Sequence, residues 1–315
     1  MRAYIINEHP DWIVPLGKAL GASGVPWAEW YTDAGRLALD KEPPEGIWFN
    51  RMSASSHTRG HVHAVTHARE LVGWLESHGR RVLNGTRALT LEMSKLQQHA
   101  ALNAAGIATP RTLAVIGGAK EILAGAREAI PAIGTPFILK PNRGGKGLGV
   151  RLVSELSQLE AYLASADLSE SPDGVWLIQE YIRAAEPCIT RCEFVGGEFV
   201  YAIRSSTAEG FELCPADGCG TCSTAGAKFS LRHGFDDPIL DQLRGFIAGQ
   251  GLDVCGIEFI EDASGNKFVY DINGTTNYNP AIEADAGQGG ATQRLMALMA
   301  RELAAASERC SVPQP

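Results

Sequence analysis

Hydrophobic and polar positions follow three successive patterns along this chain. Near the start, Ala3-Tyr-Ile-Ile6 and Gly46-Ile-Trp-Phe-Asn-Arg51 are apolar runs that read as buried strands. A helix over residues 14–20 follows the first, and a long helical run to about residue 77 follows the polar end of the second. With Arg81-Val-Leu-Asn84 as another strand, residues 1–88 read as an α/β layer whose strand ends gather polar side chains, the usual ligand position in open sheets. In the middle, Leu91, Lys95, Leu96, His99 and Leu102 recur at helical spacing and predict one helix over 90–105, closed by Gly106 and Pro110. A strand at 112–115, helices at 119–129 and 157–164, and the strand Val175-Trp-Leu-Ile-Gln-Glu-Tyr-Ile182 come next. The last third turns antiparallel: 188–195 and 198–204 flank Gly196-Gly197, a hairpin signal, and 256–273 makes two strands around a turn at 262–266.

One break in this pattern carries chemistry. The run Phe137-Ile-Leu ends in Lys140 and opens into a loop holding Gly144, Gly145, Lys146, Gly147 and Gly149. Glycines let backbone N–H groups approach an anion closely, and the lysines offset its charge, so the loop reads as a nucleotide-phosphate clamp. It is not a Walker A loop, because Lys146 is followed by Gly147 and no hydroxyl. Nor is it a dinucleotide fingerprint, because Val150-Arg-Leu-Val153 continues as a strand where a helix would be needed. An ordinary glycine-rich hairpin remains the alternative. In the last hairpin, Glu258 on one strand and Asp271 and Asn273 on the other converge as oxygen ligands suited to a hard cation such as Mg2+ with ATP; solvent-facing polar residues are the alternative there.

Composition narrows the function class. The chain has 315 residues, 45% hydrophobic and 20% charged, enough for two or three subdomains. Its formal charge of −8 argues against a nucleic-acid binder. No apolar stretch approaches the roughly 18–20 residues that span a bilayer, and Glu8-His9-Pro10 directly follows the first apolar run, so no membrane attachment or export signal is expected and the expected location is the cytoplasm. Seven cysteines, an odd number, fit mostly reduced thiols.

Lys95, Lys140 with its glycine loop, Gln179-Glu180-Tyr181-Ile182, Arg191, Arg204, and Glu258 with Asp271-x-Asn273 form an ordered set that resembles the ATP-grasp superfamily, and within it the RimK-type glutamate ligases. The resemblance runs from about residue 47 to 299. It implies an α/β (α+β overall) ATP-grasp fold: an N-terminal Rossmann-like subdomain at 1–88, a small subdomain with the glycine flap at 89–180, a C-terminal subdomain with the metal site at 181–308, and a flexible tail at 309–315. It further implies that Lys95 and Lys140 contact phosphate, that 144–149 closes over the β- and γ-phosphates, and that residues 179–182 read adenine. Glu258, Asp271 and Asn273 would bind two Mg2+ ions, with Mn2+ as a substitute, and Arg191 and Arg204, with Lys140, would serve the transferring phosphoryl group. Arg51, in a segment like the family's Pro-Arg-Ile-Gly-Ala-Ser, would hold a substrate carboxylate with Ser55 nearby, and Asn277 and Asn279 would contact substrate.

Three departures stand out. Ile189 replaces the family's ribose-holding acid, which Glu186 could supply; the metal pair runs Glu then Asp; and the family's Asn-Leu-His-Arg-Gly-Gly-like segment gives way to residues 211–222. That stretch holds Cys214, Cys219 and Cys222, for which structural zinc, a disulfide and a free-thiol substrate loop are the readings, the last being the default. His57, His61, His63 and His67 read as a partly exposed helix start near the substrate cleft in preference to a metal site. The function expected is an ATP-dependent carboxylate–amine ligase joining an amino acid or small carboxylate to a small-molecule, peptide or protein-terminus acceptor, in a chain free to form a homo-oligomer. A small-molecule kinase and a non-catalytic ATP-binding regulatory module are the rivals.

Overall fold

The computed structural model describes residues 1–145, 147–166, 168, 171–208 and 228–311. Lys146, the Cys214, Cys219 and Cys222 cluster with its zinc reading, and the tail beyond residue 311 lie outside the described residues.

The N-terminal layer contains β1 (Arg2–Asn7), α1 (Pro10–Ala22), β2 (Trp27–Tyr31), β3 (Gly46–Asn50), α2 (Ala64–Ser77) and β4 (Arg81–Leu83). Its strands are all parallel, in the order β2-β1-β3-β4. Both faces of such a sheet are covered, which is why its central strands are continuous apolar runs. Ile6 and Trp48 pack on Ala68, Leu71, Val72 and Leu75 of α2, while Ala3, Ile5, Ile47 and Phe49 pack on the other side against Leu16 and Leu20 of α1.

Next come α3 (Thr86–Met93) and α4 (Lys95–Ala104), two helices where the spacing predicts one. Ser94 makes the break. It is extended (φ −146°, ψ 107°), and its hydroxyl accepts from Gln97 N–H, because a serine that caps a new helix competes with continuing the old one. The break places Lys95 at the first turn of α4.

A four-stranded antiparallel sheet in the order β5-β8-β6-β7 is built from β5 (Thr112–Ile116), α5 (Ala119–Ile133), β6 (Phe137–Pro141), β7 (Arg151–Val153), α6 (Leu156–Leu163) and β8 (Val175–Glu180). Strand alternation sends Phe137 and Leu139 toward Ile122 and Ala126 of α5, and leaves Ile138 and Lys140 for the opposite face.

A second antiparallel sheet, β11-β10-β9-β12-β13, comprises β9 (Cys188–Val195), β10 (Glu198–Ser206), β11 (Phe229–Leu231), β12 (Val254–Glu261) and β13 (Lys267–Asn273), with α7 (Ile239–Gln250), α8 (Pro280–Ala286) and α9 (Ala291–Ser311). Residues 309–311 complete α9 instead of starting a tail. α9 returns to the first layer: Leu295, Met299 and Leu303 share one core with Ile5 and Phe49 on one side and Val195 and Ile203 on the other. Asn84, in the left-handed region at φ 54°, fastens the same junction. Its Oδ1 accepts from Asp253 and Val254 N–H at 2.9 and 3.0 Å, and its Nδ2 donates to the Val254 and Gly274 carbonyls at 2.7 and 2.8 Å. Among the described residues no helix is long and apolar enough to cross a membrane.

Candidate functional site

The three sheets meet around a cavity of about 450 Å³, within the roughly 300–1,000 Å³ usual for small-molecule sites. Its floor is the last hairpin. Glu258 stands directly opposite Asp271, and Gly256 opposite Asn273, so the three polar side chains share one face. The next strand over places Arg191 opposite Glu258 and Glu193 opposite Gly256.

Arg191 is 5% exposed and fully engaged there: Nε donates to Glu193 at 2.6 Å, Nη1 to Glu258 at 3.0 Å and Nη2 to the Thr276 hydroxyl at 2.8 Å. A side chain at position 256 would run into this guanidinium, so glycine is what lets it lie flat against the sheet. Burial raises the Glu258 pKa, Arg191 opposes the rise, and the Asp271 charge adds to it.

Across the cavity, Lys95 pairs with Asp271 at 2.5 Å. Burial would lower the Lys95 pKa, but Asp271, Glu92 and Glu258 outweigh it. Lys140 is 4% exposed, with its ammonium 5.6 Å from the Tyr270 ring centre. Burial first, then the Lys95 charge, push its pKa down to about 7, against the pull of Asp271 and Glu258. Among the described residues no carboxylate pairs with Lys140, and a buried cation without such a pair is suited to an anionic ligand.

The glycine loop forms the lid side. Gly147 and Gly149 have φ of 76° and 74°, which only glycine adopts without strain. Asn142 ties the loop to the start of α4: its Oδ1 accepts from Leu96 N–H at 2.7 Å and its carbonyl from Lys95 N–H at 3.2 Å. Arg143 reaches the N-terminal layer, donating to the Ala54 carbonyl and the Ser56 hydroxyl at 3.3 Å each. Away from the charged floor the cavity walls are apolar, formed by Ile138, Leu152, Ile182, Ile189 and Ile260, with Gln179 and Tyr181 beside them.

The structure therefore brings most of the sequence-selected residues to one space. Lys95, Lys140, Gly144, Gly145, Gly147, Gln179, Tyr181, Ile182, Arg191, Ser55, Asn277, Glu258, Asp271 and Asn273 all line it. Others lie elsewhere. Glu180 points outward to Arg111 at 2.9 Å, because alternation along β8 puts it on the face opposite Gln179. Arg204 and Glu186 pair with each other at a solvent-facing edge and do not line the cavity. Asn279 is the N-cap of α8, accepting from Ala281 and Ile282 N–H, and Gly149 sits in the loop without reaching the wall. Arg51 stands one side chain back, donating to Asn277 Oδ1 at 2.5 Å.

The histidines disperse. His61 bonds the buried Glu8 at 2.8 Å and His67 the Thr32 carbonyl at 2.9 Å, and among the described residues no group of three or more His, Cys, Asp or Glu side chains is placed to hold a metal. Glu258, Asp271 and Asn273 offer two carboxylates and one amide, so a cation there would draw its remaining ligands from a bound phosphate.

Sequence reasoning missed Glu92, Tyr270, Glu193 and Thr276. Tyr270 donates to Glu258 at 2.8 Å. Simple alternation would send it to the face away from Asp271. The ladder, however, shifts between Glu258 and Phe259, and Tyr270 falls in the bulge.

Comparisons with known proteins agree with this architecture. The RimK-like ATP-grasp domain profile matches residues 93–214. A probable alpha-L-glutamate ligase of Stenotrophomonas maltophilia is 30% identical over 222 residues, covering 69% of each chain. One from Mannheimia succiniciproducens is 29% identical over 213 residues, covering 68% of this chain and 65% of its own length. Among solved structures, the RimK domain ATP-grasp protein from Sphaerobacter thermophilus superposes with a TM-score of 0.66 at 17% identity, covering 94% of this chain and 98% of that one. The ATP-grasp ligase PsnB, in complex with a phosphomimetic variant of its minimal precursor, Mg and ADP, superposes with a TM-score of 0.64 at 17% identity, covering 96% and 98%. Sequence kinship over two thirds of the chain and a shared fold over nearly all of it lead to one conclusion: this chain belongs to the RimK-like ATP-grasp ligase family.

Proposed function

We propose that the chain is an ATP-dependent carboxylate–amine ligase that forms an amide through an acyl phosphate, with glutamate or another small amino acid as one substrate. The observation that carries this reading is the meeting, in one cavity beneath a glycine loop, of two lysines with the oxygen cluster of Glu258, Asp271 and Asn273. The names of the relatives support it, and so does the Mg and ADP found with PsnB. On this reading the chain divides near residues 88 and 180 into the N-terminal, flap-bearing and metal-bearing parts.

The donor set fits a hard divalent cation. Glu258 and Asp271 face each other across a hairpin, their mutual repulsion relieved by Arg191 and Lys95, and all their ligating atoms are oxygens. Bound there, Mg2+ would neutralise phosphate charge. ATP would lie with its base between the apolar walls near Gln179, Tyr181 and Ile182, and its phosphates against Lys95, Lys140 and the glycine loop N–H groups. The substrate carboxylate oxygen then bonds to the γ-phosphorus as the bond to the β-phosphate oxygen breaks, releasing ADP. An amine attacks the acyl carbon, the carbon–oxygen bond to phosphate breaks, and the nitrogen loses its proton to leave an amide. Lys140 and Arg191 supply position and positive charge throughout, with no covalent nucleophile. Arg204, tied to Glu186 outside the cavity, is left out of this set.

A screen of amino acids and small carboxylates for substrate-dependent ADP release, with mass spectrometry of products, tests the reading. A condensed product formed with loss of water is expected. A stable phosphorylated product would make the protein a kinase instead, and no substrate-dependent ADP release under any pairing would sink the proposal.

A further inference from the structure

The sheet that carries the glycine loop is open along one edge. β5 is its outermost strand, hydrogen-bonded to β8 on one side. Glu180 N–H donates to the Arg111 carbonyl at 2.8 Å and Gly117 N–H to the Gly174 carbonyl at 3.0 Å, so the odd-numbered residues from 111 to 117 turn their peptide groups toward β8. In an antiparallel ladder the residues between them then turn theirs away. Thr112, Ala114 and Ile116 therefore present N–H and carbonyl groups outward, and among the described residues no backbone or side-chain group takes them up.

Sheet edges are commonly blunted by shortness, charge, bulges or a covering segment. The other edges here follow that rule: β4, β7 and β11 are three residues long, β2 carries Glu29 at its centre, and β13 donates Val269 N–H to the Ala108 carbonyl at 2.9 Å. β5 does not. Thr112-Leu-Ala-Val-Ile116 is uncharged, free of proline and regular in its pairing. Leu113 and Val115 are committed to the core beneath α5, whereas Ile116, on the opposite face, is 76% exposed.

We propose that this edge joins two copies of the chain, β5 running antiparallel to the partner's β5 about a two-fold axis at Ala114. Ala114 then lies opposite the partner's Ala114, and Thr112 opposite the partner's Ile116, so each outward N–H meets an outward carbonyl. Ile116, left in water in a single copy, packs beside the partner's Thr112. Charge fits the same register. Arg111 falls opposite the partner's Gly117, and Gly117 adjoins the Glu121 side chain. Arg111 and Glu121 are both exposed, and an axis normal to the sheet keeps both α5 helices on one face, so a guanidinium meets a carboxylate at each end of the seam. Neither Ala114 nor Ile116 lines the cavity, so the seam leaves it open in both copies and the inference stands apart from the ligase reading.

Sedimentation equilibrium of the full chain across the micromolar range should show a monomer–dimer equilibrium, and residue-resolved hydrogen exchange on the same samples should locate it. Protection of the Thr112, Ala114 and Ile116 amides should grow with concentration, while the Leu113 and Val115 amides, already bonded to β8, should change little. Ile116→Lys places a charge at an exposed edge position; it should melt as the parent does where both are monomeric, and weaken the dimer about tenfold or more. Ala114→Pro removes an N–H that makes no bond within the chain, and should weaken the dimer about tenfold or more by deleting both hydrogen bonds at the axis. If Ala114→Pro fails to fold, Ile116→Lys carries the test. A chain that stays monomeric, a dimer whose Thr112, Ala114 and Ile116 amides exchange equally fast at all concentrations, or an undiminished dimer in Ile116→Lys would each overturn the inference.

Discussion

Replacing Lys140 with methionine separates the energetic cost of this lysine from its use. Burial and the Lys95 charge push its pKa from 10.5 to about 7. At about 1.36 kcal/mol per pH unit, keeping the proton on it in the folded state costs about 5 kcal/mol of stability. The sign follows from proton linkage. The unfolded chain holds this proton more tightly, so stability rises with pH between about 7 and 10.5, and the full cost applies below about 7. Methionine has similar length and no charge. Lys140→Met should therefore be more stable than the parent near neutral pH, and its advantage should shrink by about 2 kcal/mol between roughly pH 6.5 and 8.5. Urea unfolding of both proteins at the two pH values reads this difference directly. On the proposed reading, in which this ammonium meets the nucleotide phosphates, the same variant should lose nucleotide binding. An advantage that does not change with pH, or a variant less stable than the parent at the lower pH, would refute the picture of a buried and poorly compensated ammonium.

Three other substitutions probe the floor of the cavity. Asp271→Asn should abolish substrate-dependent ADP release and, by leaving Lys95 without its partner, lower stability by about 1–3 kcal/mol in thermal or chemical melts; parent-like turnover would remove Asp271 from the site. Gly256→Ala drives a methyl group into the Arg191 guanidinium, so a stability loss of about 1–3 kcal/mol should accompany a fall in ADP release of about tenfold or more, and a silent variant would show that Arg191 need not lie flat. Tyr270→Phe removes a hydrogen bond that helps hold Glu258 ionised, so the acid limb of the pH–rate profile should move to higher pH. An unshifted limb would mean that Glu258 does not set it.

What was legible in the sequence was local. Lys140 and the oxygens at 258, 271 and 273 could be read because strand alternation decides their direction from within a few residues, and Gly147 and Gly149 because their backbone conformation admits little else. The helix break at Ser94 was harder, since the apolar spacing runs through it and only the capping chemistry of the serine marks it. Tyr270 escaped because a bulge overrides alternation, and a bulge is set by the partner strand. Glu92, Glu193 and Thr276 gain their meaning from partners 182, 83 and 85 residues away, which no local pattern encodes. Arg204 and Glu186 differ in the opposite way: each is plausible alone, and here each is paired with the other outside the cavity lining. β2 sits at a sheet edge with mostly half-buried residues, so its pattern is weak, whereas Ile239, Leu240, Leu243, Phe246 and Ile247 in α7 carry a helical spacing that could have been read.

The return of α9 to the first sheet bears on how the molecule is made. Ile5 and Phe49 complete their packing against Leu295, Met299 and Leu303, partners separated by some of the longest stretches of sequence in the chain. During synthesis, the part of this face that α1 does not cover must therefore wait, apolar and exposed, until almost everything else has been translated. Loop closure over such a distance is slow and leaves that face open to misassociation. Arg81, which pairs with both Asp253 and Glu302, is caught in the same late step. The seam beside the cavity therefore closes among the last events of folding, and a chain interrupted before α9 would leave one face of the first sheet covered by α1 alone.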